Sequence, residues 1–432
     1  MLHNIVVVGG GAGGLELATR LGRTLGKRKQ AKITLVDAHL THIWKPLLHE
    51  VATGSLNSTD NELNYVAQAK WNGFEFQIGR LCGINRENQT IELSATLDEQ
   101  GQELVPARYL SYDTLVIAVG SLTNDFGTCG AAEHCIFLDS PQHALSFHKR
   151  LLGEYLTAHA RGNNDHQVNI AIVGAGATGV ELAAELRRAS QQLFLYGLDN
   201  IKPDNMNITI LEAGPRVLPA LSDKIASQVH QQLLKLGVEI KLSAAVEEVT
   251  AEGMRTQDGG VVPATLKVWA AGIRGPDFLS QMDGLESNRI NQLVVRPTLQ
   301  TTLDDNVFAI GDCAACPLFI GSDKNVPPRA QSAHQQASFL ARSLALKLRG
   351  QALPSYKYRD YGSLVSLSQY SAVGNIMGGL IRTVSVEGWM ARMFYVSLYR
   401  MHQVALYGVF RTGLIMLSDR IGRRTHPRMK LH

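Results

Sequence analysis

The 432-residue chain is 45% apolar and 19% charged, a globular profile with material for two or three domains. Its five cysteines, Cys82, Cys129, Cys135, Cys313 and Cys316, form an odd, sparse set, which excludes a disulfide-framed scaffold and fits a reducing compartment. The formal net charge of +4 is uneven: from Trp389 onward eight Lys/Arg face one acid, a local +7, leaving about −3 elsewhere. Such asymmetry points to a polyanionic partner, lipid or nucleic acid.

The opening "MLHNIVVVGG" enters a strand at once, without a basic leader region or cleavage motif, so no signal peptide is expected. The strand lacks polar alternation, as expected where both faces of a parallel sheet are covered. It runs into Gly9-x-Gly11-x-x-Gly14 and a helix. In such a turn the first glycine permits the bend and the second lets a pyrophosphate approach the backbone. The third lets helix and sheet pack closely. The helix N-terminus then offers unpaired N–H groups to the phosphate. "KITLVD" is the second strand, ending on Asp37, placed to accept from a ribose hydroxyl. "THIWKPLLHEVATGSL" (41–56) follows, apolar for a loop and without cysteine.

"YDTLVIAVGS" (112–121) is a further strand ending on glycine. About 165 residues after the first turn the pattern returns as Gly174-x-Gly176-x-x-Gly179, with "MNITILEA" ending on Glu212 and "LKVWAAGI" (266–273) echoing 112–121. This is an internal duplication of a βαβ unit. One such turn is a weak signal; two in strand–turn–helix context, each with a later acid, predict two dinucleotides. Glu212 favours NAD over NADP, a preference moderated by Arg216 in the next loop. "DDNVFAIGDCAA" (304–315) occurs once.

Residues 346–432 read as a separate module. In 389–424 apolar clusters alternate with arginines; Trp389, Met393, Val396, Tyr399 and Leu406 or Gln403 approximate one stripe. No stretch reaches 18 uncharged apolar residues, so no transmembrane helix is expected. The pattern suits a helix pair lying in a membrane interface, each basic residue adding roughly 1 kcal/mol near anionic lipid. A dimer-forming or core helix is the alternative. The Met, Leu and aromatic clusters suit hydrocarbon better than nucleic acid.

Two dinucleotide sites imply electron transfer between a held flavin and an exchangeable nicotinamide. The first 345 residues or so resemble flavoprotein reductases with two dinucleotide-binding domains. In these a Gly-Asp after a short strand, here Gly311-Asp312, holds FAD. That assigns the first unit to FAD and the second to NADH. Many relatives carry a redox cysteine pair where this chain has "HIWKPLLHEVATG", so dithiol chemistry has no nucleophile here.

Over almost its whole length the chain resembles type II NADH dehydrogenase, the single-subunit NADH:quinone oxidoreductase. The resemblance is carried by "KPLLHEVATGS" (45–55), "GSLTNDF", "ATGVELAAEL" (177–186), "AIGDCA" (309–314), "AQSAHQQA" (330–337) and the basic C-terminal helices. It implies an α/β fold with two Rossmann-like domains, FAD-binding (1–145 with 290–345) and NADH-binding (146–289), plus a C-terminal amphipathic helical membrane-binding module (346–432). By resemblance Gln331 lies by the flavin ring and quinone head, with Gln335 nearby. Glu181 matches the glutamate at the nicotinamide–flavin junction, and these three are the candidate catalytic groups. Lys45 and Pro46 match the loop beside the isoalloxazine, with the leucines of that loop expected to face a lipid-like substrate. Further cofactor contacts are implied for Gly9, Gly11, Ala12, Gly13, Gly14, Asp37, Ala38, Leu81, Ala118, Gly120, Gly311, Asp312 and Ala330, and for Gly174, Gly176, Gly179, Glu212 and Gly272. The implied enzyme is a respiratory flavoprotein with non-covalent FAD and no metal. It passes electrons from NADH to a quinone such as ubiquinone without pumping protons, on the cytoplasmic face of the bacterial inner membrane. Its partners are quinone and an anionic membrane surface, with a homodimer left open.

Plainer readings stand beside these. Glu181 could favour a helix macrodipole, and Asp312 could cap a helix. Gln331 and Gln335, four apart, could be a solvated face, and the Cys313-x-x-Cys316 spacing could be incidental. Competing functions are a sulfide:quinone oxidoreductase, which needs redox cysteines, a soluble ferredoxin-type reductase, and a redox-sensing flavoprotein without turnover.

Overall fold

The computed structural model describes residues 2–57, 62–98, 100–162, 166–367, 371–378, 381–387 and 399–425. Two five-stranded parallel sheets carry the dinucleotide units. In the first, Val307–Ala309, Thr114–Ile117, His3–Val8, Ala31–Asp37 and Glu75–Ile78 lie side by side. In the second, Ile136–Phe137, Leu266–Trp269, Val168–Val173, Met206–Leu211 and Val238–Lys241 repeat the order. The glycine-turn strand is central in both, and Ile5, Val7, Ile170 and Ile172 are buried, as the unbroken apolar runs require. The duplication extends to a three-stranded antiparallel sheet beside each unit: Arg80–Asn85, Thr90–Ser94 and Arg108–Ser111, then Val246–Val249, Gly253–Thr256 and Val261–Pro263.

The edge strand Val307–Ala309 joins the first sheet although the whole second unit intervenes in sequence. The units also meet directly. Leu122–Thr123 pairs antiparallel with Ile273–Arg274, and Trp269 Nε1 donates to Asn124 O at 2.9 Å.

The apolar segment after Asp37 forms a 3-10 turn, Lys45–Leu47, and a short helix, Leu48–Ala52. Ile43, Leu48, Val51 and Ala52 are buried in the second unit's core, together with Val180 and Leu182. This corrects the expectation that the leucines face a substrate: Leu47 and Leu48 are both buried. The segment is apolar because it leaves one unit and fills the core of the other.

The C-terminal part contains more than helices. Gly362–Leu367, Ser371–Gly378 and Ile381–Glu387 form an antiparallel sheet that packs on helices Ala177–Leu195 and Asp223–Lys235 of the second unit. Helix 399–407 instead packs on the first unit: Arg23 donates to Ala405 O at 3.0 Å and to Leu406 O, and Trp44 stacks on His402. Gly408, at φ +82°, breaks this helix from Val409–Thr425. Of the expected stripe, Tyr399, Gln403 and Leu406 are described, whereas Trp389, Met393 and Val396 lie outside the described residues. Among the described residues no helix is long and apolar enough to cross a membrane.

Candidate functional site

The two glycine turns are built to one rule. Gly9 (φ +101°) and Gly174 (φ +100°) occupy the left-handed region, where a side chain is strained. A Cβ on Gly9 would lie 2.4 Å from Ala118 O, and one on Gly174 2.9 Å from Ala271 Cα. The third glycines are filled too: a Cβ on Gly14 would meet Gly9 O at 1.8 Å, and on Gly179 would meet Gly174 O at 2.0 Å. The second glycines differ. Around Gly11 and Gly176 nothing lies within 4 Å of a built Cβ, and their φ values of −64° and −71° suit any residue. No protein atom requires glycine there, and the space is open to the close approach of an external group.

Donors line both turns. The first helical bonds are Leu15 N–H to Gly11 O and Val180 N–H to Gly176 O. The amides of Ala12, Gly13 and Gly14, and of Ala177, Thr178 and Gly179, precede those ladders, where a phosphate is welcome. Gly13 also seats the helix: its Cβ would lie 3.3 Å from Ala333 Cβ.

Each strand-end acid is anchored alike. Asp37 accepts from Gly10 N at 2.6 Å and His39 N at 2.9 Å; Glu212 accepts from Ala175 N at 2.7 Å and Gly214 N at 2.8 Å. Burial pushes the Asp37 carboxyl up, but the His39 contact and the two amides outweigh it and hold it below the ordinary value. Ala38, half-buried, follows. Arg216 is bonded to Asp223 and to Pro219 O, which engages the cation that a 2′-phosphate would want.

Beyond the first turn, Gly120 (φ +73°) has nothing within 4 Å of a built Cβ, whereas at Gly272 (φ +66°) Phe126 Cζ would lie 2.4 Å away. The duplicated positions have diverged, one open and one covered. Gly311 (φ +75°) leads to Asp312, which accepts from Ser121 Oγ at 3.0 Å. Burial raises the Asp312 carboxyl, against the hydroxyl and the Lys45 charge. Lys45 Nζ donates to Ser121 O at 2.9 Å and Asp139 Oδ1 at 3.0 Å. The structure thus gathers Lys45, Ser121, Asp139 and Asp312 around the mouth of the first turn. Ser121 lies in "GSLTNDF" but was given no role of its own, and Asp139 belongs to no quoted motif.

Glu181 is buried on helix Ala177–Leu195, its Oε2 3.7 Å from His49 Nδ1. Burial, against the Glu185 charge, lowers the His49 pKa to about 4, so the imidazole is neutral at pH 7 and its contact with Glu181 is not an ion pair. Glu185, one turn on, accepts from Ser55 Oγ at 2.9 Å. Glu181 and Glu185 thus face the inserted segment 41–56.

Gln331 and Gln335 clasp the C-terminal chain. Gln331 Nε2 donates to Gly362 O at 2.9 Å and its Oε1 accepts from Tyr361 N at 3.2 Å. Gln335 Nε2 donates to Arg359 O at 2.8 Å and its Oε1 accepts from Arg359 N at 3.1 Å. They are therefore not a solvated face. Two other glutamines serve the Gly-Asp turn: Gln336 Oε1 accepts from Gly311 N at 2.7 Å, and Gln292 Nε2 donates to Asp312 O at 2.8 Å. Sequence reasoning missed both.

Leu81 lies buried in the first unit's core, so its side chain packs rather than faces a ligand. Ala330 is the first, half-buried residue of helix Ala330–Lys347. Cys313 and Cys316 are buried, and burial pushes both thiols up to about 12, which disfavours the reactive thiolate. Among the described residues no cluster of three His, Cys, Asp or Glu is arranged to hold a metal.

The residues present fit two dinucleotides. Residues 3–337 match the pyridine nucleotide-disulphide oxidoreductase family. The chain is 47% identical, across all of both chains, to the type II NADH:quinone oxidoreductase of Haemophilus influenzae. It belongs to the type II NADH:quinone oxidoreductases. Its fold matches the NDH2 of Plasmodium falciparum solved with NADH, at TM-score 0.82 and 19% identity over all of both chains. It also matches the sulfide:quinone oxidoreductase of Aquifex aeolicus, at TM-score 0.71 and 19% identity over 94% of this chain and 92% of that one. The chain is accordingly an FAD-dependent oxidoreductase that uses NADH and reduces a quinone. The likeness to the sulfide:quinone oxidoreductase shows a shared fold and no more.

Proposed function

We propose that this type II NADH:quinone oxidoreductase works as a peripheral respiratory enzyme on the cytoplasmic face of a bacterial membrane, without moving protons across it. The observation that carries the two-cofactor reading is the pair of open cradles at Gly11 and Gly176, in a chain whose segment 41–56 has no thiol. Bound FAD supplies hydride acceptance from NADH and two-electron delivery to quinone.

The chain's own residues bind, orient and exclude water. Gly9, Gly11, Gly14 and the amides of Ala12 and Gly13 hold the FAD pyrophosphate, and Asp37 its ribose. Asp312, Ser121 and the open flank at Gly120 receive the polar chain that follows. Lys45, held by Asp139 and Ser121 O, brings a positive charge to that mouth. Gly174, Gly176, Gly179 and Glu212 hold NADH. Glu181 orients the nicotinamide, with neutral His49 behind it keeping the junction dry. Gln331 and Gln335 fix the segment 359–362 as one wall of the quinone site.

The test follows NADH oxidation by the purified flavoprotein with and without a short-chain quinone. Flavin absorbance should bleach with NADH and return with quinone; bleaching without return refutes the reading. Truncation after Glu387 should release the protein from membranes, and retention refutes the peripheral attachment.

A further inference from the structure

Three basic side chains meet where the C-terminal helices dock on the first unit. An open cleft of about 240 Å³ is lined by Arg23, Lys27, Trp71, Asn72, Tyr407 and Arg411, with Leu406 at its base. Three separate pieces of chain build it: the turn after the first helix, the end of helix Tyr65–Asn72, and the two sides of the Gly408 break.

The charges differ in what they already do. Arg23 is committed to structure: its Nε donates to Asn72 Oδ1 at 2.7 Å and its terminal nitrogens to Ala405 O and Leu406 O. Burial and the like charges of Arg20 and Arg411 lower its pKa. Lys27 is exposed, and Arg411 lies over the Trp71 ring at 5.1 Å. Among the described residues no carboxylate forms an ion pair with Arg23, Lys27 or Arg411 (every salt bridge involves other cations). Like charges converging on one cleft repel each other, and an anion with oxygen acceptors relieves that.

The surroundings say where the anion comes from. On Val409–Thr425, Phe410, Leu414 and Leu417 are spaced i, i+4, i+7 and are 80%, 54% and 57% exposed. They form one apolar stripe, and Arg411 sits beside its start. Trp71, 48% exposed, borders the same cleft. An apolar stripe rimmed by tryptophan and arginine matches a helix seated at acyl-chain depth, with its cations at headgroup depth.

We propose that the Arg23–Lys27–Arg411 cleft is a binding site for the phosphodiester of one anionic phospholipid, whose acyl chains lie along the Phe410–Leu414–Leu417 stripe. This rests on the peripheral-membrane reading above and names the ligand of that surface. Arg23, fixed by its bonds to Asn72, Ala405 and Leu406, has two of its five N–H groups left over, Lys27 supplies mobile charge, and the Trp71 ring holds Arg411 in place.

The test uses the flavin-loaded full chain, sedimented with vesicles of phosphatidylcholine alone or mixed with phosphatidylglycerol. Lys27→Gln with Arg411→Gln leaves Arg23 and its structural bonds intact. Arg28→Gln with Lys70→Gln removes the same charge from exposed residues outside the cleft. At roughly fivefold per basic residue, the cleft variant should partition about thirtyfold more weakly onto the acidic vesicles. The control should lose at least about fivefold less. NADH oxidation with a soluble quinone should stay unchanged in both. Equal losses in the two variants overturn the site in favour of diffuse attraction. Saturable binding of inorganic phosphate without vesicles, read by tryptophan fluorescence at constant ionic strength and abolished by the cleft variant, overturns the lipid source. Failure of the unmodified chain to bind any vesicle overturns the membrane reading itself, a result distinct from cleft variants that bind as well as the unmodified chain.

Discussion

Gly174 and Gly176, two residues apart, should respond to alanine in opposite ways. At Gly176 the backbone is already at φ −71° and the new methyl meets no atom within 4 Å. The folded protein should lose no more than about 1 kcal/mol, through the weaker N-cap preference of alanine. The methyl would instead fill the space over which a pyrophosphate approaches the amides of Ala177 and Thr178. Even one displaced charge-assisted hydrogen bond, at about 1.5–3 kcal/mol, raises the KM for NADH roughly tenfold to a hundredfold. At Gly174 the φ of +100° and the 2.9 Å approach to Ala271 Cα place the cost in the fold, about 1–3 kcal/mol for the strained backbone alone. Thermal melting with steady-state NADH kinetics separates the two. Gly176→Ala should melt near the unmodified protein with a raised KM; Gly174→Ala should melt lower. A Gly176→Ala enzyme with an unchanged KM would refute the assignment of that cradle to NADH.

Three further outcomes are expected. His42 and His49, with pKa values lowered to about 4, and His402, lowered to about 3, are all buried and neutral, with burial the main cause. The unfolded chain protonates them near 6.5, so their contribution is whole above that pH and lost as pH falls from 6.5 toward 4. The loss is about 3 kcal/mol for each of His42 and His49; denaturant midpoints should fall steeply over that window, and in His49→Gln less steeply. Glu212→Ala should raise the KM for NADH and narrow discrimination against NADPH, with Arg216 still held by Asp223; undiminished discrimination would show that Glu212 does not read the ribose. Gln335→Leu removes both bonds to Arg359 and should speed proteolysis near 359–362 while raising the KM for quinone more than that for NADH; equal effects on both would detach this clasp from the quinone site.

What the sequence made legible follows from locality. Both parallel sheets were readable because each strand is an unbroken apolar run beside a glycine turn. Each Gly–acid pairing sits within one βαβ unit, so spacing alone located Asp37 and Glu212. The antiparallel sheet over 362–387 was hidden, since its strands mix glycine, serine and apolar residues, and their partner surface is a helix pair roughly 150 to 180 residues earlier. The apolar segment 41–56 was misjudged for a related reason: its burying partner belongs to a unit not yet read. Gln336 could have been found, because it falls on the same helical face as Ala333, Ala337 and Leu340, and an amide on a core face needs a partner. Nothing in the pattern showed that Gln331 and Gln335 hold the backbone of 359–362.

The last part of the chain ties the whole together, with consequences for the order of assembly. The sheet over 362–387 lies on the second unit, helix 399–407 lies on the first, and the two glutamines hold the chain at 359–362 as it enters that sheet. During synthesis the second sheet can close as soon as Leu266–Trp269 emerges, but the first waits for Val307–Ala309. The strap that spans both units is made last, and it also carries the exposed apolar helix. A ribosome-bound chain would thus hold two nucleotide folds, already joined through 122–123 and 273–274, before the strap is in place. The completing event coincides with the appearance of the surface proposed to bind lipid.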